Sequence, residues 1–376
     1  MKVLIYGGSF DPVHKGHYAI LKAACSYIKP DKVHIFTAYQ SPLKKKSPRP
    51  FALRKQMAKE ALSSIYPNII FDDFENEQKR VVYTYETIKH VKNLYPGCKV
   101  YLLVGADCLN DITNWKNFQY IFDNSILVAG KRKGFAFKTQ KFKYILLDGN
   151  FPLISSTNIR LAILSNGLLP NSLLEQTEKR IEKNLMYGLD LHKWLEEHLR
   201  PKRYLHVKLV AQASVELGRI YGANLEECAL AAILHDCGKS MSNEDLIAYA
   251  LKNKLKVRDF KNICQFSPSL LHSEVSYHIA KTVFKIKNAE VLKAIRHHTL
   301  GRTNMGLLEQ IIFISDMASK DRKIQDARKV KQAALNSLQA GVFAAMKVKL
   351  EWTILNSKWV APAGIEFWNE LCLENN

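Results

Sequence analysis

No Cys-x-x-Cys pair occurs in the chain, and its seven cysteines are odd in number. That excludes a thiolate zinc site or a paired disulfide framework and points to thiols kept reduced inside a cell. No apolar run approaches the roughly 20 residues that span a bilayer. The chain opens directly on a strand-like segment, so neither membrane anchor nor secretory leader is expected and the location is read as cytoplasmic. Repeats and low-complexity tracts are missing as well. Acidic residues run short: 35 Asp and Glu face 55 Lys and Arg, a formal charge of +20 over 376 residues. The excess holds in both halves, 28 basic against 15 acidic residues in 1–188 and 27 against 20 in 189–376. The clusters Lys44-Lys45-Lys46 and Lys131-Arg132-Lys133 lack the interleaved aromatics of a nucleic-acid surface. The excess is therefore read as a match to polyanionic small substrates rather than to nucleic acid.

What is present begins at the first residues. Lys2-Val3-Leu4-Ile5-Tyr6 reads as the buried opening strand of a parallel sheet. Gly7-Gly8 allows a tight turn and close backbone approach to a ligand. His14 and His17, three residues apart, fall on one face of the first turn of a following helix. Free N–H groups and the helix dipole there favour an anion, so imidazoles added to them suit a triphosphate.

Further strand-like runs lie at 32–38, 69–73, 99–105, 125–129 and 144–147, alternating with helical periodicity at about 16–29, 51–64 and 84–95. Such alternation predicts a Rossmann-like parallel sheet with ligands at the carboxyl ends of its strands. From Thr157 onward strands stop and every segment has helical period. A chain of this length suits two domains. The expectation is an α/β Rossmann-like parallel-sheet domain over 1–188 followed by an all-α domain over 189–376.

Gly7-Gly8-Ser9-Phe10-Asp11-Pro12-Val13-His14-Lys15-Gly16-His17 resembles, without a gap, the signature of the nucleotidylyltransferase superfamily. Four other stretches resemble its nicotinate-nucleotide adenylyltransferase branch: Ile154-Ser155-Ser156-Thr157-Asn158-Ile159-Arg160, Val104-Gly105-Ala106-Asp107 followed by Trp115, Tyr83-Thr84 with Glu86-Thr87, and Ser41-Pro42-Leu43-Lys44. The resemblance implies transfer of AMP from ATP, as its Mg²⁺ complex, to nicotinate mononucleotide, with release of pyrophosphate. By position, His14, His17, Lys44 and Arg160 would supply donors and charge to the phosphates. Gly7, Gly8, Ser9 and Phe10 would form the turn at the substrate. Ser156 and Thr157 would cap a phosphate-facing helix. Gly105, Asp107 and Trp115 would meet the ribose and pyridine ring, and Tyr83 and Thr84 the nicotinate carboxylate. Glu86 stands where the family has Asp. The lysine loop lacks the family's His and one Pro, which leaves Lys45 and Lys46 as alternatives to Lys44.

The second half carries Arg203-x-x-His206, His235-Asp236-x-Gly238-Lys239, Leu271-His272, His297-His298-Thr299 and Ile314-Ser315-Asp316, each at a predicted helix end or inside an apolar helix. Imidazoles and carboxylates without thiolate suit a hard or borderline divalent metal with open positions. The order H…HD…H…H…D resembles the HD phosphohydrolase superfamily, and its details resemble the branch that cleaves diadenosine tetraphosphate symmetrically to two ADP. That resemblance implies one or two divalent ions, iron or manganese, held by His206, His235, Asp236 and Asp316 with Asp236 bridging to His272 and His298. His297 is the alternative to His298. Lys239, Arg203 and Arg322 would hold phosphate oxygens, although Ser319-Lys320-Asp321-Arg322 departs from the family's Glu-Pro. Residues beyond about 330 add helices without readable chemistry. The rival readings are another nucleotide as substrate of the second domain, or a nucleotide-sensing or RNA-binding module. Oligomeric state is open, a homo-oligomer included.

Overall fold

Strand β1 (Lys2–Gly8) buries Val3, Leu4, Ile5 and Tyr6 in succession, which requires cover on both faces of its sheet. Full burial of each such aliphatic side chain contributes about 2 kcal/mol. The computed structural model describes residues 1–42, 49–130, 144–149, 151–322 and 324–374. After β1 come β2 (Lys32–Thr37), β3 (Ile69–Asp72), β4 (Lys99–Val104), β5 (Ile126–Gly130) and β6 (Tyr144–Leu147). They form one sheet in the order β3-β2-β1-β4-β5-β6, with every pairing parallel. The Rossmann-like expectation holds. Sheet order reverses between β1 and β4, so the crevice expected for a ligand lies at the carboxyl ends of these two strands. Gly7-Gly8 and Val104-Gly105 stand there.

Packing divides the chain into two compact units, Met1–Arg160 with Leu169–Leu185 and Leu161–Leu168 with Met186–Asn376. The sequence pattern predicts a single division after Gly188. Packing also assigns Leu161–Leu168 to the second unit, because Leu161 packs on Val215 and Ala229 and the Leu164 carbonyl accepts from His192 Nε2 at 2.8 Å.

Among the described residues no strand follows β6. The second unit is helical, as expected, and its ligand-bearing helices are Pro201–Ile220, Leu225–Leu234, Leu271–Thr282, Ala289–His297 and Leu307–Ala318. The last is deeply set: Ile311, Ile312, Phe313 and Ile314 are all fully buried. Asp316 follows them on the same helix, so its charge must be matched by facing cations. Among the described residues no helix is long and apolar enough to cross a membrane.

Candidate active sites

In the first unit His14 is the N-cap of the helix Lys15–Ile28, with φ −149° and ψ 171°. His14 Nδ1 accepts from the His17 N–H at 3.4 Å, and His17 Nδ1 accepts from the His14 N–H at 3.2 Å. The two rings stack with centroids 3.7 Å apart. Two Nδ1 atoms used as acceptors place the ring protons on Nε2. The sequence predicts free helix N–H groups that meet the anion. Instead the His17 amide is taken by His14, and the Lys15 amide donates to the Ser172 carbonyl at 3.0 Å.

The turn before them is held from below. Phe10 has φ 48°, an unfavourable conformation for a bulky residue of the kind found at functional turns. Its buried ring packs edge-on against Tyr6 and His17, at 5.6 and 5.2 Å between centroids. A Cβ at Gly7 would meet nothing within 4 Å, whereas at Gly8 it would touch the Phe10 ring at 3.0 Å. Arg54, fully buried, donates to the carbonyls of Ser9 and Ala38 at 2.8 Å each and to that of Arg49 at 3.0 Å. It ties the turn after β1 to the end of β2. Nothing in the sequence set Arg54 apart from other helical arginines.

The helix Ser156–Asn166 brings the second signature to the same turn. Ser156 Oγ donates to the Pro12 carbonyl at 2.8 Å, and Arg160 Nη1 donates to the Asp11 carbonyl at 2.7 Å. The cap itself differs from expectation. Ser155 Oγ accepts the Asn158 N–H at 3.1 Å, because the helix starts at Ser156 and the residue before it is the N-cap. Thr157 stands within 3.5 Å of Arg160 Nη2.

Tyr83 and Thr84 open the helix Thr84–Leu94, and Glu86 Oε2 accepts the Tyr83 N–H at 3.0 Å. Glu86 also pairs with Arg80 at 2.7 Å, so the residue that departs from the family pattern serves the helix start. Lys116 Nζ lies 4.4 Å above the Tyr83 ring, and Trp115 beside it is half-buried against the sheet core. This is a second cluster, reached from the segments after β3 and β4. Gly105 precedes the helix Ala106–Asp111. The side chain of Asp107 and all of Lys44, Lys45 and Lys46 lie outside the described residues.

In the second unit the imidazoles share one device. The Nδ1–H of His235 donates to the Ala232 carbonyl at 2.6 Å, that of His272 to Ser269 at 2.5 Å, and that of His298 to Ile295 at 2.7 Å. Each acceptor lies three residues earlier, where a helix end leaves its carbonyl available. Burial pushes all three rings toward the neutral form, His235 down to about 4. Their Nε2 atoms therefore present lone pairs. Those of His272 and His298 are 3.0 Å apart and lie 3.2 and 3.5 Å from Asp236 Oδ1. His235 Nε2 is 3.5 Å from Asp236 Oδ2 and makes no hydrogen bond. Lone pairs and a carboxylate facing one another at such distances need a cation among them, and the donor set fits a divalent metal. Two overlapping groups, His206-His235-Asp316 and His235-Asp236-His298, each bring three ligand atoms within 4.8 Å.

His206 completes the ring of ligands. Its Nε2 lies 3.2 Å from Asp316 Oδ1, and its Nδ1 pairs with Asp321 Oδ2 at 2.8 Å. Burial opposes its charge, but the carboxylates of Asp316 and Asp321 together prevail and hold it up to about 9. The anions that draw this proton would equally draw a metal ion. Burial alone would raise the carboxyls of Asp236 and Asp316. Facing histidines for Asp236, and Arg322, Lys349 and His206 for Asp316, reverse that and hold both well below the ordinary range.

The glycine of His-Asp-x-Gly has a steric role. A Cβ at Gly238 would lie 2.6 Å from the His272 carbonyl oxygen, and the Gly238 N–H donates to Ser276 Oγ at 2.8 Å. Only glycine lets this turn seat against the helix Leu271–Thr282 and set Asp236 opposite His272. Of the two adjacent histidines, His298 faces Asp236, whereas His297 pairs with Glu309 at 2.7 Å. Arg203 sits on Asp236 Oδ2 at 2.7 Å and Arg322 on the Asp316 carboxylate. Lys239 lines the same cavity, with burial disfavouring its charge. Sequence reasoning passed over two residues. Asp321 backs His206, and Lys349, on the helix Leu338–Leu355, donates to the His298 carbonyl at 2.7 Å and lies 3.5 Å from Asp316 Oδ2.

The cytidylyltransferase-like family pattern matches residues 5–162, and the HD domain pattern matches residues 203–321. A probable nicotinate-nucleotide adenylyltransferase/Ap4A hydrolase of Mycoplasma genitalium is 27% identical over 327 residues, 86% of this chain and 88% of that protein. A probable nicotinate-nucleotide adenylyltransferase of Clostridium tetani is 34% identical over 200 residues, 50% of this chain and 98% of that protein. A symmetrical bis(5'-nucleosyl)-tetraphosphatase of Halalkalibacterium halodurans is 29% identical over 180 residues, 48% of this chain and 94% of that protein.

Proposed function

Because the chain belongs to the nicotinate-nucleotide adenylyltransferase family in its first half and carries an HD domain in its second, we propose that it is a bifunctional enzyme of adenosine polyphosphates. The first domain joins ATP and nicotinate mononucleotide. A phosphate oxygen of the mononucleotide forms a bond to the α-phosphorus of ATP, the bond from that phosphorus to the bridging oxygen breaks, and pyrophosphate leaves. No protein nucleophile is required, and catalysis rests on positioning and on neutralising developing charge. The reciprocal cap between His14 and His17 supports this, since it engages both Nδ1 atoms and leaves the ring protons on Nε2, at the helix end that follows the glycine turn.

The second domain hydrolyses diadenosine tetraphosphate. Water adds across the central phosphoric anhydride and each half departs as ADP. The convergence of three neutral imidazole Nε2 atoms on Asp236 is the observation that carries this reading. His206, His235, Asp236 and Asp316 would hold one ion, with Asp236 shared toward a second at His272 and His298. Iron or manganese fits such donors. When bound, the ions supply Lewis acidity toward a phosphate and acidify a water. Arg203 and Lys239 line the cavity where the phosphates would lie.

The test uses the purified full chain and its Asp236→Ala variant. Each is given diadenosine tetraphosphate with a divalent-metal panel, and separately ATP with nicotinate mononucleotide. ADP as sole product of the first assay, lost in the variant, together with deamido-NAD and pyrophosphate from the second in both proteins, is expected. AMP plus ATP, or metal retention without turnover, overturns the hydrolase assignment. Preference for another phosphate acceptor, such as phosphopantetheine, overturns that of the transferase.

A further inference from the structure

The helices after residue 330 close one side of a cavity of about 880 Å³ in the second domain. Its lining includes the ligand histidines His272 and His298 with Arg203, Lys239 and Lys349. The same lining also carries aromatic residues. Phe266 and Trp359 stack there with centroids 6.1 Å apart and planes 29° from parallel. Phe266 is 52% exposed, and Trp359 is half-buried. The same domain sets its core pair, Phe313 and Phe367, edge-on and fully enclosed. Trp359 packs against that core, and its pair with Phe266 lines the cavity. Cations and a flat aromatic pair in one cavity lining match the two parts of a nucleotide, its phosphates and its base.

The helices on either side of Trp359 are tied to the metal-ligand segment around His298. Lys349 Nζ donates to the carbonyls of His298 and Thr299 at 2.7 and 3.2 Å. Phe367, on the helix Pro362–Glu374, packs on Gly301 so closely that a Cβ there would lie 2.3 Å from its ring. Trp352 also lines the cavity, but Lys358 Nζ covers its ring at 4.4 Å. Trp359 is the indole left to receive a base.

We propose that Trp359, backed by Phe266, is the nucleobase subsite of the HD domain, where the purine of a nucleoside polyphosphate stacks while its phosphates reach Arg203, Lys239 and Lys349. This rests on the reading of the domain as a nucleotide hydrolase, and it gives the tail beyond residue 330 a part in substrate binding.

The test compares metal-loaded wild type, Trp359→Ala, Trp359→Phe and Phe266→Leu. Calorimetry measures binding of ADP and of inorganic tripolyphosphate, which has no base, and kinetics follow diadenosine tetraphosphate. Loss of a base–aromatic stack predicts that Trp359→Ala weakens ADP binding and raises KM by roughly 5- to 150-fold. Tripolyphosphate affinity and metal content stay at the wild-type level, and kcat falls far less than KM rises. Trp359→Phe recovers most of the ADP affinity, and Phe266→Leu shows a smaller loss. Unchanged ADP binding in Trp359→Ala overturns the proposal, and so does equal weakening of ADP and tripolyphosphate. If Trp359→Ala does not fold, undiminished ADP binding in Phe266→Leu, with tripolyphosphate as reference, overturns it instead. Should wild type leave diadenosine tetraphosphate intact, the substrate assignment fails. A selective loss of ADP binding in Trp359→Ala would still uphold the subsite.

Discussion

The two domains build their candidate sites by opposite means. In the first, the central parts sit within eleven consecutive residues, Gly7 to His17, and the imidazoles are oriented by the backbone of their own helix turn. In the second, ligands arrive from five helices and are held by charge: two buried carboxylates ringed by histidines, arginines and a lysine. Buried acids show the contrast directly. Asp316 is held well below the usual range by Arg322, Lys349 and His206, and Asp236 by its facing histidines, whereas Glu75 in the first domain is pushed up to about 7. Burial dominates for Glu75. The Tyr39 N–H and Arg54 oppose it only in part, while Asp72 and Glu86 add to it. Presenting fixed donors needs only a local turn, but concentrating buried negative charge needs a cation.

Chelation should separate the domains most sharply. Stripping metal and then assaying in excess Mg²⁺ is expected to abolish diadenosine tetraphosphate cleavage, by 10³-fold or more, while deamido-NAD synthesis returns to its starting rate. Equal loss of both activities would erase the contrast. Next in size, His17→Ala removes one preoriented donor and opens the reciprocal cap. Adenylyl transfer should fall on the order of 10²- to 10³-fold in kcat, as for loss of an oxyanion donor, with hydrolase kinetics as the internal control. Asp321→Asn sharpens the claim for the second domain. Without the carboxylate on His206 Nδ1, metal affinity read by titration should drop roughly 10- to 100-fold.

The smallest effect is one of stability. For a carboxyl whose folded value lies above its unfolded one, the folded state binds the extra proton. The favourable contribution is complete below about 4.5 and is lost as pH rises through about 7. Glu75→Gln should therefore raise the melting temperature of the first domain at pH 8, by several degrees for about 3 kcal/mol, and leave it little changed near pH 4. A variant no more stable at pH 8 would show that Glu75 is ionised there without cost.

Much of the fold was legible because its signals are local. The six β runs read as short continuous apolar stretches and the switch after residue 157 as helical period, and the sheet has the expected six parallel strands. The histidine pair was readable because i to i+3 spacing alone puts both rings at one helix end. One local rule was misapplied. Starting the helix one residue later placed the cap on Ser156, whereas Ser155 caps and Ser156 holds Pro12.

By itself the sequence determined the element order, the sheet class, the residue types of both candidate sites and the glycines their turns require. Periodicity, capping and close approach act over a few residues, so they can be read along the chain. Tertiary structure alone decided which distant groups meet. Asp321 reaches His206 across 115 positions, Lys349 reaches the His298 carbonyl across 51, and Arg54 reaches Ser9 across 45. These pairings depend on how helices and strands pack, and a lysine or aspartate bound for such a contact has the same local pattern as one bound for solvent.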